Sequence, residues 1–351
     1  MLLIDALNVK SRGGSVLLDY MEVALEKREI QFKILRNKDT NFTYQVRFNP
    51  ITYFDRTSKI AAAVARYKPH TLLCFGNFPP GRRFPGIRIF TYIQSRFFVD
   101  SNAIESYGVV ARSIIRLKRW YLKLLTRYSD TFIFQTPLVK NLFADRYGIS
   151  SSACMVLPFF DEQAILNFKE LFVAQNIEKV SCSFIYPTGV QTHKNLTQLL
   201  QAWSILLDRG YDPPLNLMIP TIDDNVELTD RITGLNRNGA KIINHGALSH
   251  ADLLREVYRC SHVIFPSKEE TIGLGIVEGL LLDCEILVSD EPYHRDIVQP
   301  TLVFDCDVPS SIAEAVMKVQ SADNMKTSYR IIQNQIEELI TVLENPKPLN
   351  H

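Results

Sequence analysis

The sequence predicts an α/β protein built from two Rossmann-like, doubly wound domains in series. Three observations lead there. The chain has 351 residues, more than one average domain and enough for two separate cores. Short apolar runs alternate with longer segments of helical period along its whole length, the pattern of a parallel sheet covered on both faces. The alternation also starts afresh after a polar, charged stretch at 161–179, so the elements fall into two sets.

In the first set the strand candidates are 2–5, 32–35, 71–75, 87–92, 131–135 and 155–157, with helices at 62–67 and a long basic one near 104–127. In the second they are 183–186, 215–219, 241–244, 262–265, 285–289 and 302–304, with helical patterns at 196–207, 251–258, 276–282 and 312–319. The segment 324–343 reads as one long helix. The expected division is therefore 1–165, 166–325, and a C-terminal helix and tail, 326–351, packing back toward the N-terminal domain. Two such domains would leave a cleft at the C-terminal ends of their strands, where a ligand is expected.

Composition is that of an ordinary folded protein, 46% hydrophobic and 22% charged. The net charge of +1 excludes neither nucleic acid nor membrane by itself, because distribution outweighs the sum. No nucleic-acid partner is expected. Cys74, Cys154, Cys182, Cys260, Cys284 and Cys306 form no Cys-x-x-Cys pair and mostly sit in apolar runs, so they read as buried reduced thiols. Met1 leads straight into Leu2-Leu3-Ile4-Asp5 with no basic segment ahead, which sets the expectation of a cytoplasmic protein. The sequons at Asn41 and Asn195 then carry no weight. The seven histidines are scattered, and Asp223-Asp224 reads as turn chemistry, so neither a metal nor a cofactor is expected.

The most informative stretch is Phe265-Pro-Ser-Lys-Glu-Glu-Thr-Ile-Gly-Leu-Gly-Ile-Val-Glu278, a strand running through a turn into a helix. The amides around Thr271, Gly273, Leu274 and Gly275 point at an anion, and the glycines allow it to come close. Glu278, one turn into the helix, is placed to accept from two ribose hydroxyls, and Glu270 from a sugar ring. An isolated pair of acids at such a junction is more often two surface residues. The segment, however, resembles the Glu-x7-Glu signature of family-four retaining glycosyltransferases of the GT-B architecture. That resemblance implies that Glu270 contacts the transferred sugar and Glu278 the ribose of a nucleotide-diphosphate sugar, with Glu269 taking the first role if the loop shifts by one. Thr271-Ile272 stand where Gly-Phe is frequent in the family, and Gly275 where Pro is frequent.

The second stretch, Phe184-Ile-Tyr-Pro-Thr-Gly-Val-Gln-Thr-His-Lys194-Asn195, brings one cation to the loop after a strand. Lys194 there is the leading catalytic candidate, neutralising the diphosphate as the bond to the sugar breaks. The family often carries an arginine five residues earlier, where this chain has Gly189, so the resemblance is to the branch with a His-Lys-Asn loop. His193 or the N-terminal domain is left to supply the missing charge. The third stretch, Asn8-Val-Lys-Ser-Arg-Gly13-Gly14, resembles the family's glycine-rich loop over the donor, with Lys10 and Arg12 as possible phosphate contacts; a plain tight turn uses the same residues.

Tyr92, Ser95 and Arg96 fall where the resemblance implies acceptor-facing or sugar-facing residues, although a core aromatic cluster explains them as well. Arg112, Arg116, Lys118, Arg119, Trp120 and Lys123 interleave cations with leucines at helical spacing, which suits either an anionic membrane surface or a core-packed helix with a solvated basic face. The function implied is transfer of a sugar from a nucleotide sugar to a saccharide acceptor, lipid-linked, in surface polysaccharide synthesis. The alternatives are a nucleotide-sugar 2-epimerase and a scaffold that keeps the fold without transfer.

Overall fold

A computed structural model of the chain describes residues 1–9, 12–36, 50–100, 104, 107–187, 189–219, 226–321 and 326–345, with the side chains at 12 and 50–54 outside that description. Lys10, Asn41, Asp223 and Asp224, and the side chain of Arg12, therefore lie outside the described residues. The chain divides into two compact units, 1–160 with 333–351, and 161–332. The sequence reading placed the same divisions at 165 and 325.

The first unit contains β1 (Leu2–Ala6), α1 (Arg12–Lys27), β2 (Phe32–Arg36), α2 (Pro50–Tyr67), β3 (Thr71–Cys74), β4 (Arg88–Ile93), α3 (Val109–Leu125), β5 (Thr131–Phe134), α4 (Pro137–Tyr147) and β6 (Cys154–Val156). Its six strands are parallel in the order β2-β1-β3-β4-β5-β6. β1, β3 and β5 are buried at every position, which is why they read as mostly apolar runs, with the one charge, Asp5, paired to buried Arg56. Local chemistry sets the ends of α4: Thr136 Oγ1 accepts from the Val139 amide, Pro137 opens the helix, and Gly148 closes it in the left-handed region at φ 68°.

The second unit contains α5 (Glu162–Ala174), β7 (Val180–Tyr186), α6 (Leu196–Asp208), β8 (Leu215–Leu217), α7 (Val226–Arg237), β9 (Ile242–Asn244), α8 (His250–Arg259), β10 (Cys260–Phe265), α9 (Leu274–Leu281), β11 (Glu285–Ser289), β12 (Val298–Gln299), β13 (Leu302–Phe304), α10 (Pro309–Ser321) and β14 (Tyr329–Arg330). The main sheet runs β13-β11-β10-β7-β8-β9, all parallel. Counted from β7, this is the strand order of a dinucleotide-binding sheet, and its winding reverses between β7 and β10.

Two stretches differ from the sequence reading. The polar segment at 161–179 is mostly the helix α5, nucleated by Asp161 accepting from the Ala164 amide and anchored by buried Ile165 and Phe172. The expected long helix at 324–343 is shorter. Tyr329–Arg330 pair antiparallel with Val298–Gln299, and the helix α11 covers only Ile336–Glu344. Ser328 Oγ accepts from the amides of Ile286 and Thr301, while the Ser328 amide donates to Glu285 Oε2 and those of Ile331 and Ile332 to the Ile297 carbonyl, so tertiary bonding claims the backbone here in place of a helix. α11 lies in the first unit against α1 and β3; the Thr71 hydroxyl donates to the Leu343 carbonyl, and Arg28 pairs with Glu337 and Glu344. No described helix is long and apolar enough to cross a membrane.

Candidate functional site

In a doubly wound sheet, ligands bind beyond the C-terminal ends of the strands where the winding reverses. In the second unit that point lies between the loops leaving β7 and β10, and these loops carry Lys194 and Glu270. Two bonds fasten them together, and a third braces the first loop against the end of β7. The Lys268 amide donates to the His193 carbonyl at 2.9 Å, and Tyr186 donates its hydroxyl proton to the Lys194 carbonyl at 3.0 Å. The Tyr186 oxygen also meets Ser267 Oγ at 2.6 Å. Because the only Tyr186 proton is engaged, Ser267 is the donor in that contact.

Lys194 closes a short 3-10 turn, Thr192–Lys194, and the next residue, Asn195, sits in the left-handed region at φ 58°. Asn tolerates that conformation better than other residues with a side chain, and its Nδ2 is tied to the Cys306 carbonyl at 2.6 Å. The His-Lys-Asn run is thus a turn that aims a lysine. Lys194 Nζ meets Glu270 Oε1 at 2.5 Å, with the side chains only 14% and 12% exposed. It also lies 5.8 Å from the centre of the Phe265 ring. So shielded a pair is screened little by solvent.

In the free protein His193 is not a cation. Burial, followed by the positive charge of Lys194, pulls its pKa down to about 4 against the opposing influence of Glu270, so the imidazole is neutral at pH 7 in the free protein.

Glu278 lies on α9 and is buried, 6% exposed. Its Oε1 accepts from His250 Nε2 at 2.8 Å, across from the first residue of α8. α9 starts at Gly273, which takes φ 57°, and the Ile276 amide turns back to the Gly273 carbonyl at 2.8 Å. The amides of Leu274 and Gly275, in the first turn of α9, precede any intrahelical partner. Gly275 has a further reason: a Cβ there would come within 2.5 Å of Pro187 Cγ and 3.2 Å of the Phe265 ring. The glycine lets α9 press against the end of β7. Thr271 is half-buried on the same loop.

Lys194, Glu270, Thr271, Gly273, Leu274, Gly275, Glu278 and His193 all belong to these two loops and the helix start. The candidates in the first unit fare differently. Gly13 and Gly14 lie inside the first turn of α1, not in a loop ahead of it. Tyr92 is fully buried, its ring stacked on Phe75 at 5.2 Å and tilted against Phe159 at 5.4 Å, so it is a core residue and not ligand-facing in this structure. Arg96 is buried and paired with Asp100 at 2.5 Å, and the half-buried Ser95 precedes the short turn that carries it. Of the basic helix candidates, Arg119 is buried, its Nε donating to the Phe97 carbonyl at 2.7 Å, which removes it from any exposed face. Among the described residues no group of three His, Cys, Asp or Glu side chains is placed to hold a metal ion.

Three functional-looking residues went unread in the sequence: His250, Tyr186 and Ser267. Their partners are 28 and 81 positions away, and only the order of strands brings them together.

Residues 167–338 match the family model described as Glycosyl transferases group 1. No curated protein matches the chain. Among solved structures, it is similar to a sucrose-phosphate synthase from Thermosynechococcus elongatus, at 13% identity over 97% of this chain and 94% of that one, with a TM-score of 0.66. WaaG, a glycosyltransferase involved in lipopolysaccharide biosynthesis, aligns at 10% identity over 98% and 99%, with a TM-score of 0.63. Anabaena HepE in complex with UDP and glucose aligns at 12% identity over 91% and 89%, with a TM-score of 0.60. At these identities the likeness establishes the fold. The chain has the GT-B architecture of two parallel-sheet Rossmann-like units, and the stretch that matches the glycosyl transferases group 1 model, 167–338, lies mostly in the second of them.

Proposed function

We propose that the protein is a retaining glycosyltransferase, of the hexosyl type and the branch with a His-Lys-Asn loop, that moves a sugar from a nucleoside-diphosphate sugar to a saccharide acceptor. The observation that carries this reading is the shielded Lys194–Glu270 pair on the two fastened loops where the second sheet reverses its winding. A nucleotide sugar suits that place: its diphosphate meets Lys194 and the first amides of α9, its ribose meets Glu278, and its sugar meets Glu270. The HepE structures with UDP and with UDP-glucose make uridine the first base to test.

In the transfer, the bond from the sugar's anomeric carbon to the diphosphate oxygen breaks and leaves its electron pair on that oxygen. An acceptor hydroxyl oxygen bonds to the same carbon on the same face, and its proton passes to the departing phosphate. Lys194 stabilises the charge that grows on the diphosphate, and to do so it exchanges part of its contact with Glu270 for the phosphate. The reading includes neither metal nor cofactor. The acceptor is a lipid-linked saccharide in surface polysaccharide synthesis, with the enzyme at the cytoplasmic face of the membrane.

A transfer assay with UDP-sugars and lipid-linked saccharide acceptors tests this. Lys194→Ala should lower kcat by about 10²–10³, the scale of one lost electrostatic stabiliser, with product of retained anomeric configuration and activity unaffected by EDTA. Inverted product or loss of activity in EDTA overturns the retaining, metal-free reading. Epimerised nucleotide sugar in place of a transferred product would make the protein an epimerase.

A further inference from the structure

We infer that His250 is the positioning residue for the ribose end of the donor site, fixing the Glu278 carboxylate so that the site discriminates ribonucleotides from 2′-deoxyribonucleotides; this rests on the donor reading proposed above. The two residues belong to different helices, His250 at the first position of α8 and Glu278 in the second turn of α9. Their contact, Nε2 to Oε1 at 2.8 Å, is long-range and specific. A carboxylate accepts and does not donate, so the proton of that bond is on Nε2 and the tautomer follows.

Burial gives the contact its importance. The Glu278 side chain is 7% exposed and that of His250 34% exposed, so the carboxylate has little water to satisfy it while the imidazole edge reaches solvent. A buried carboxylate needs hydrogen-bond donors to hold its place. One acceptor site on Oε1 is taken by His250, which leaves the remaining lone pairs for two vicinal hydroxyls. With the carboxylate plane fixed, both hydroxyls of a ribose are met together and the loss of one is felt fully. The anchor of His250 is itself firm, because Ser249 caps α8 by accepting from the Asp252 amide.

The test uses the full chain and the nucleoside diphosphate among UDP, GDP, ADP and CDP that raises its Tm most, beside its 2′-deoxy counterpart. The wild type should bind the ribonucleotide about tenfold or more tightly than the deoxynucleotide, the scale of one hydrogen bond to a charged acceptor. His250→Ala should bring that ratio close to one, and His250→Gln, which keeps a donor near the Nε2 position, should restore most of it. A general loss of packing would weaken both ligands alike and leave the ratio unchanged, so an unchanged ratio in both variants overturns the positioning role. Glu278→Gln separates the two claims: if it leaves ribonucleotide binding intact, or if no nucleoside diphosphate binds the wild type, the donor reading fails and this inference with it. If Glu278→Gln abolishes binding while His250→Ala keeps the wild-type ratio, only the inference fails.

Discussion

At the scale of residues, burial imposed by the fold decides whether an ionisable side chain carries its charge. His193 shows this most clearly. An unfolded histidine titrates near 6.5, while in the fold burial and Lys194 bring the value to about 4. Between those two values the unfolded chain holds a proton that the native chain does not. Stability is therefore complete above pH 6.5 and declines as pH falls toward 4, by about 3 kcal/mol for this residue. Urea unfolding at pH 7.5 and pH 4.5 checks it: His193→Gln should remove most of this residue's share of the loss. A loss unchanged in that variant would assign the acid sensitivity to other groups, among them His70, His262 and His294, whose pKa values burial also lowers. The residue types of the site were readable beforehand because the runs 265–278 and 184–195 are each contiguous. The neutrality of His193 and the His250–Glu278 bond were not, because burial and long-range pairing leave no periodic trace in a sequence.

At the scale of elements, α9 is held against the sheet through its glycines. A Cβ at Gly275 meets Pro187 at 2.5 Å and one at Gly279 meets Val263 at 2.5 Å, whereas one at Gly234 in α7 meets nothing within 4 Å. Gly275→Ala should therefore cost about 1–3 kcal/mol by overpacking and weaken nucleotide binding as well, measured by denaturant unfolding and ligand titration. Gly234→Ala, in the open, should be neutral or stabilising by up to about 1 kcal/mol. Equal effects at the two sites would show that α9 yields without strain. Strands such as β1 and β3 were legible from their short, mostly apolar runs, while the C-terminal segment was overread as helix. Helical period cannot anticipate Ser328 binding two backbone amides of the neighbouring strands.

The same scale holds the membrane question. On α3, Val109, Val110, Leu117, Trp120 and Leu124 are exposed, Trp120 by 58%, with Arg116 and Lys123 exposed among them and no acidic residue on the helix. In the reading proposed here this face meets an anionic bilayer, with Arg112 and Lys118, half-buried, at its flanks. Flotation with vesicles of phosphatidylglycerol and phosphatidylcholine should carry the protein at low salt, and Trp120→Ala with Leu124→Ala should abolish this. Failure of the wild type to float, or flotation equal on pure phosphatidylcholine, contradicts the electrostatic docking.

At the scale of the whole molecule, two parallel sheets of six strands each follow from the alternation of apolar runs and helical segments, and the second repeats the strand order of a dinucleotide-binding sheet. That order explains why the carriers of chemistry, 76 positions apart in the case of Lys194 and Glu270, share one edge. In the function proposed here, their pairing in the free protein sets what donor binding changes: the lysine gives part of its contact with the carboxylate to a phosphate.

The central claim is that this edge holds a nucleoside diphosphate, and thermal denaturation of the full chain with UDP, GDP, ADP and CDP, and with their sugars, tests it most directly. A ligand that binds only the native state at a hundred times its Kd stabilises that state by about 2.7 kcal/mol, a readily measured rise in Tm. The account predicts that one nucleotide raises the Tm of the wild type and leaves that of Glu278→Ala unmoved. No shift in the wild type with any of them at millimolar concentration would contradict it, and the scaffold reading would take its place.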